Sequence, residues 1–459
     1  MIRSLFMTMI FLSFLGLGLA APFILTLGYA WVDTFRPQDI TWYILNQLPV
    51  AMIMAVAAIA GYFLLDRRSP PRFTLTTLLT LLIGGLITAT MYWAEVPLAG
   101  WGKWDWAFKT VMFSAFIPLV IRSRVQIEAF VQVYVFALAA NFIPFAAKVL
   151  VSGGGYGQNL GLQGGNSGLS EGELLSTVVL MVIPVALHLG RHTQLLPRTR
   201  LVKFGYTALA GCALVTALGT YERSALIAMA ALGGYMLLRS RHKMVFGLCL
   251  TLVAVAIAYM MSATWTDRVN TISVPTTDSS AMMRLLAWQW TIKYALAHPF
   301  GGGFNCFVIN RLEFPDGSVI YGRAFQSIYF EILGEDGWLG LGLFLGIVIW
   351  TFRGLRRLAR RTRAIPHLAW CADLSDALQA GMVAFLAGGA FVDILFQPEL
   401  WYFIAMSVSL SEYVRRVEQQ AAPAAGWRAR ALPVVTGTPV PVAAGTAWRH
   451  RPAWGKPGH

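Results

Sequence analysis

Apolar runs long enough to cross a membrane recur along this chain from one end to the other, and that recurrence leaves one fold class. A helix rising 1.5 Å per residue needs about 20 residues to cross roughly 30 Å of hydrocarbon. Such runs fall at 4–32, 45–65, 74–93, 105–121, 127–149, 174–190, 201–219, 224–239, 244–262, 331–352, 377–396 and 400–414. They predict an all-α polytopic membrane protein of about twelve transmembrane helices. Composition agrees, with 57% hydrophobic and 13% charged residues and a mean hydropathy of +0.60. No stretch is left over for a soluble catalytic domain.

The net charge of +14 raises the question of a nucleic-acid partner. The placement of the cations answers it. They cluster in every second connection: Arg67, Arg68 and Arg72, then Arg122 and Arg124, then Arg191, Arg198, Arg200 and Lys203, then Arg239, Arg241 and Lys243. The run RGLRRLARRTR, Arg353 to Arg363, continues the series, and a basic tail follows. This alternation marks the cytoplasmic side and places both termini there, so the charge is topological and no nucleic acid is implied. The first run, 4–32, reads as one uncleaved crossing or as two half-helices. Apolar character continues to Trp31 without a polar processing region, which argues against a cleaved signal peptide. Residues 1–417 form the membrane domain, and 418–459, rich in Ala, Pro, Gly and Arg, reads as a disordered cytoplasmic tail.

Four cysteines scattered over the topology supply no disulfide framework, and no CxxC, HExxH or paired-histidine spacing suggests a protein-built metal site. No cofactor is called for. Two outer connections are long. Val151 to Glu173 is glycine-rich and reads as a linker or a flap. Ala263 to Gln326, about sixty residues between the ninth and tenth helices, is of a length that usually carries function. Within it, Leu285, Trp288, Ile292 and Leu296 form one stripe of a helix lying along the membrane face or capping the bundle. Gly301, Gly302 and Gly303 follow in HPFGGGF, where the backbone can turn or approach a ligand closely. As a phosphate cradle the motif lacks the lysine and the preceding strand.

SSAMMRLLAWQWTIKYALAHPFGGGFNCFVIN, followed by AFQSIYFEILGEDGWLGLGLFLG, resembles the carboxy-terminal signature of the O-antigen ligase and polymerase superfamily. The nearest resemblance is to the O-glycosylation ligases of exosortase A systems. WVDTFRPQDITWYILNQLPVA resembles the leader of that subgroup, and TYERSALIAM adds a further piece. The resemblance implies a leader region, 1–150, and a ligase-like core, 174–414, with a C-type glycosyltransferase fold. It implies a bacterial inner-membrane enzyme that uses no metal and passes a glycan from undecaprenyl diphosphate to a periplasmic glycan, lipid or protein hydroxyl. The leaving diphosphate is then held by cations, for which arginine offers a permanent charge and a bidentate fork.

Arg223, at the outer start of the eighth helix, matches the family's arginine there, although snorkelling or pairing with Glu222 also explains it. Arg284 matches the arginine preceding the tryptophan in the loop helix, and Lys148 is a third candidate cation, with snorkelling as the simpler account. The family commonly has a histidine before SIYFE as the base for the acceptor. Here that position is Gln326, whose amide hydrogen-bonds but takes up no proton near neutral pH. Glu331 matches the family's glutamate and is the substitute base, or a helix-terminus carboxylate. Glu335 and Asp336 diverge by about 100 degrees on a helix and read as helix-entry groups that bond loop backbone. His298 and the turn residues Asp393 and Glu399 are minor candidates, and Gly334, Gly337, Gly340 and Gly342 read as a packing face. Three functions remain open: ligase, polysaccharide polymerase, and a non-catalytic polyprenyl-glycan carrier.

Overall fold

The computed structural model describes residues 2–41, 44–66, 70–152, 171–239 and 279–430, with isolated positions 169, 243 and 247. Most of the loop Val151–Glu173, the expected ninth span at 244–262, the first part of the long outer loop, and the tail beyond 430 lie outside these residues, as do Arg67, Arg68 and Arg241. The chain divides into two compact units, Met1–Arg415 and Arg416–His459.

Seven helices among the described residues are long and apolar enough to cross a membrane. This is a multi-pass α-helical membrane protein, and the limits of the helices Arg124–Ser152, Gly172–His192, Arg200–Gly219 and Arg223–Arg239 lie within a few residues of the apolar runs. After the first segment come α3 (Pro37–Ile40), α4 (Ile44–Gln47), α5 (Val50–Leu65) and α6 (Leu75–Ala89). Next are α7 (Pro97–Val120), α8 (Arg124–Ser152), α9 (Gly172–His192), α10 (Arg200–Gly219) and α11 (Arg223–Arg239). Capping contributes where polar residues precede a run: Thr74 accepts the Thr77 amide at 3.1 Å and Thr199 the Val202 amide at 3.2 Å. Helix α9 is buried over most of its length and packs against α8, α10 and the later helix Ala369–Gly388.

The first apolar run is not one continuous helix. It forms α1 (Ile2–Ala20) and α2 (Phe23–Phe35), broken at Pro22, whose ring nitrogen has no hydrogen to continue the ladder. The two helices fold back on each other. A Cβ on Gly18 would sit 2.3 Å from Leu25, one on Gly28 would sit 2.9 Å from Phe14, and the Phe14 and Trp31 rings lie 5.6 Å apart. This antiparallel hairpin brings Ile2 to the same end as Phe35, the end where Asp33 accepts a 2.6 Å hydrogen bond from Tyr402. Tyr413 lies toward the opposite, arginine-rich end, where its ring packs on Trp370. A proline and two close-packing glycines thus form a turn that hydropathy alone does not reveal.

Beyond the long loop, α12 (Ser279–Ala297) is followed by a 3-10 turn (Cys306–Ile309) and an antiparallel hairpin of β1 (Arg311–Glu313) and β2 (Val319–Tyr321). Asn310 closes the neck of that hairpin, accepting the Arg323 amide at 3.0 Å and donating to its carbonyl at 2.6 Å. Helix α13 (Ile328–Thr362) joins the apolar span to the basic run, with Leu355, Leu358 and Ala359 buried on one face and the arginines on the other. Then come α14 (Ala369–Gly388) and α15 (Pro398–Arg430). The last helix passes the boundary at 418 that composition suggested for a disordered tail, through a segment rich in the helix formers Ala, Glu, Gln and Arg.

Candidate functional site

Helix α12 turns Ala287, Thr291 and Ala295 inward and leaves Leu285, Ile292 and Leu296 outward, 45%, 41% and 70% exposed. Three of the four residues of the expected apolar stripe therefore face away from the protein, where hydrocarbon can receive them, and the fourth, Trp288, packs inward. Trp288 anchors the helix: its indole nitrogen donates to the Phe325 carbonyl at 2.9 Å, and its ring stacks on Phe330 at 4.9 Å. One turn earlier, Arg284 meets Glu173 at the start of α9, nitrogen to oxygen 2.5 Å. The charge of Arg223 also reaches Glu173. Beside them Glu222 packs so close to Gly172 that a Cβ there would lie 3.1 Å from its carboxylate. Of the three expected cations, Arg284 pairs with Glu173 and Arg223 stands within electrostatic reach of it, with Glu171 and Glu222 also close by. The third, Lys148, is exposed on α8, its ammonium 5.8 Å from the centre of the Phe145 ring.

The entrance of α13 carries a second charged cluster. Lys103 of α7 reaches Glu331 at 2.7 Å and both oxygens of Glu335 at 2.7 and 2.9 Å. The lysine side chain is 17% exposed, while those of Glu331 and Glu335 are 3% and 0% exposed. Every carboxylate oxygen in this cluster is engaged, because Glu331 Oε2 accepts the Leu395 amide at 3.1 Å and Glu335 Oε1 the Asn305 amide at 3.0 Å. Asp336 accepts from Thr90 Oγ1 at 3.0 Å, and its other oxygen is buried with no hydrogen-bond partner. Glu335 thus bonds loop backbone as expected.

Lys103 is the residue that sequence reasoning passed over. The available signal is a lysine amid tryptophans in WGKWDW, on a side where cations are otherwise sparse. It lies just before the apolar stretch expected to begin at 105, whereas α7 starts at Pro97 and carries it as a helical residue.

The three glycines do not present free amides. Gly301 donates to His298, Gly302 to Gly334 and Gly303 to Glu335, all to carbonyls at 2.9 to 3.0 Å. The last two carbonyls belong to α13 where it breaks at Gly337, with φ 68° and ψ −164°. Trp338 completes the splice by donating to the Pro299 carbonyl at 3.0 Å. No other residue fits Gly337, since a Cβ would lie 2.1 Å from the Pro299 oxygen in a backbone region reserved for glycine. The close approach expected at these small residues is made by a loop, whereas Gly342 has no atom within 4 Å of its Cβ position.

Gln326 stands at the turn into α13 with a left-handed φ of 52°, and its side-chain oxygen is buried with no partner. The next residue, Ser327, donates its amide to Asp393 at 2.9 Å, and the Gln326 amide serves the same carboxylate. Asp393 is therefore no exposed turn residue: it occupies the positive end of the helix. Burial first, and then the charge of Glu331, push its pKa up to about 7. Glu399, expected in the same exposed turn, is also buried, at 2% exposure. His298 is exposed and stacks on Tyr294 at 4.3 Å, and Tyr294 in turn donates to Glu95 at 2.9 Å.

Residues 2–194 match a family of unknown function, and residues 208–345 match the O-antigen ligase family. No curated protein matches the chain. The second match covers Arg223, Arg284, Gln326, Glu331 and the glycine-rich turn, while Lys103, which binds two of its carboxylates, comes from the first. Residues 208–345 are thus similar to the O-antigen ligase family, a likeness that supports a ligase- or polymerase-like, membrane glycan-handling role.

Proposed function

We propose that this protein is a bacterial inner-membrane glycan ligase that moves a glycan from undecaprenyl diphosphate to an acceptor hydroxyl on the periplasmic side. The observation that carries the reading is the Arg284–Glu173 pair at the start of α9, with Arg223 within electrostatic reach of the same carboxylate. A diphosphate competes for these guanidinium groups by offering more oxygens and more charge than the carboxylate does. In the transfer, the acceptor oxygen bonds to the anomeric carbon as that carbon's bond to the diphosphate oxygen breaks. The electron pair leaves on the diphosphate, which Arg284 and Arg223 stabilise, so no metal is needed. The acceptor proton passes to Glu331, whose carboxylate is fixed by Lys103 and the Leu395 amide. Resemblance to the exosortase-associated ligases favours a protein or exopolysaccharide acceptor, and a polymerase differs only in taking the growing chain as acceptor.

The test is transfer of a lipid-linked glycan in reconstituted membranes. Arg223→Ala with Arg284→Ala is expected to lower it at least 100-fold, the scale for loss of a charge-stabilising group; undiminished transfer sinks the assignment.

The carrier reading is favoured by one feature. The side chain at the family's histidine position is a glutamine, and both nearby glutamates already hold Lys103. Gln326→His separates the two: gained transfer marks an enzyme of this lineage, and absent transfer in both forms marks a carrier.

A further inference from the structure

At the arginine-rich end of the bundle, roughly 20 Å along α9 from Glu173 at 1.5 Å per residue, a cavity of about 590 Å³ opens between α9, α11, α14 and the end of α13. Its polar rim and its apolar wall differ in a way that describes a ligand. Three guanidinium groups line the rim, Arg191, Arg239 and Arg363, against two carboxylates, Asp373 and Asp376. Asp376 is shared by Arg363 and by Arg239, the latter at 3.6 Å, and Asp373 is held by His192 at 2.6 Å. Arg239 is further fixed by the Tyr235 hydroxyl at 3.2 Å, which itself bonds Gln379.

Arg191 makes no hydrogen bond or ion pair among the described residues. His188, 7% exposed, lines the same cavity, and its Nδ1 is buried with no partner. Cationic charge is thus in excess at the rim, and an unsatisfied ring nitrogen stands beside it. Behind the rim the wall is apolar, made by Pro184, Leu187, Met236, Ala369, Ala377 and Ala380.

We infer that this cavity binds a phosphate group, with the Arg191 guanidinium and His188 as its open contacts and the apolar wall receiving a hydrocarbon chain when the phosphate belongs to a lipid. Arginine suits phosphate by geometry as well as charge, and a partly enclosed site screens the attraction less than open water does. The site is independent of glycan transfer, because it lies at the other end of α9 from Glu173.

The full chain in neutral detergent is titrated with short-chain phosphatidylglycerol, with a diacylglycerol of the same chains, and with inorganic phosphate, and binding is followed by native mass spectrometry. Phosphatidylglycerol is expected to bind and diacylglycerol not. Loss of one charge-assisted contact predicts about tenfold weaker binding in Arg191→Glu, and the exposed position of that residue spares the fold. Met236→Trp, which fills the apolar part, is expected to block the lipid but not inorganic phosphate. Arg353→Glu, on the exposed basic run outside the cavity, is expected to leave binding unchanged. Inorganic phosphate that displaces the lipid confirms the shared chemistry; inorganic phosphate that binds as tightly as the lipid makes the free ion the ligand. Equal binding of diacylglycerol, or equal loss in Arg191→Glu and Arg353→Glu, overturns the site.

Discussion

The Arg284–Glu173 pair at the start of α9 and the Lys103–Glu331–Glu335 cluster at the start of α13 differ in how closed they are. Around Glu173, 15% and 24% of the Arg284 and Glu173 side chains remain exposed, and Arg223, Glu171 and Glu222 stand close by. Around Lys103 two almost fully buried carboxylates meet one ammonium, and each carboxylate oxygen already has a donor. A partly open ion pair can exchange its carboxylate for a ligand's phosphate. A closed anionic cluster is expensive to disturb, because each member removed leaves a buried charge without compensation.

The contrast breaks most decisively at Lys103. Lys103→Met is expected to cost about 3–5 kcal/mol, the range for removing one partner of a buried ion pair. The check is thermal unfolding in detergent, in which Lys103→Met with Glu335→Gln recovers part of the loss. A Tm equal to wild type shows instead that the cluster is not a structural unit. Gly337→Ala acts on the same cluster through the backbone, since the loop bonded to the broken turn also presents the Asn305 amide to Glu335. Forcing a Cβ into that conformation costs on the order of 1–3 kcal/mol before the overlap with Pro299 is counted. Reduced protease resistance of the outer loop reports it.

Asp393 sharpens the comparison through pH. Its folded pKa of about 7 lies above the ordinary carboxylate value, so the folded protein binds more protons there than the unfolded chain. The linked stability is present below the unfolded value and is lost as pH rises toward 7, giving a lower Tm at pH 8 than at pH 5. Asp393→Asn keeps an oxygen for the Ser327 amide and is expected to flatten that slope; an unchanged slope assigns it to another group. The smallest effect belongs to Glu173→Gln. Stability should change by under about 1 kcal/mol, as for a partly exposed pair, whereas the KM for the lipid-linked donor should fall several-fold because the competing carboxylate is gone.

The helices were legible because each apolar run carries its own reason to be buried, and α8, α9, α10 and α11 begin and end within a few residues of the expected limits. Arg284 and Arg223 were legible from motifs in TYERSALIAM and MMRLLAW, but not the carboxylate between them, since an acid at a helix start has a local explanation of its own. The glycine triplet was legible as a place of close approach, not as a loop inserted into a broken helix. Asp393 and Glu399 looked like ordinary turn residues because burial between helices leaves no mark on a short polar connection.

By itself the sequence determined that this chain crosses a membrane many times, because transfer of apolar surface from water depends on residues that are neighbours in the chain. Only the tertiary structure decided that α1 folds back on α2, that Lys103 meets Glu331 and Glu335 across 228 and 232 residues, and that Arg284 meets Glu173 across 111. Ion pairs and hydrogen bonds act over a few ångströms of space, and nothing in a local run of residues says which distant run packing will bring there.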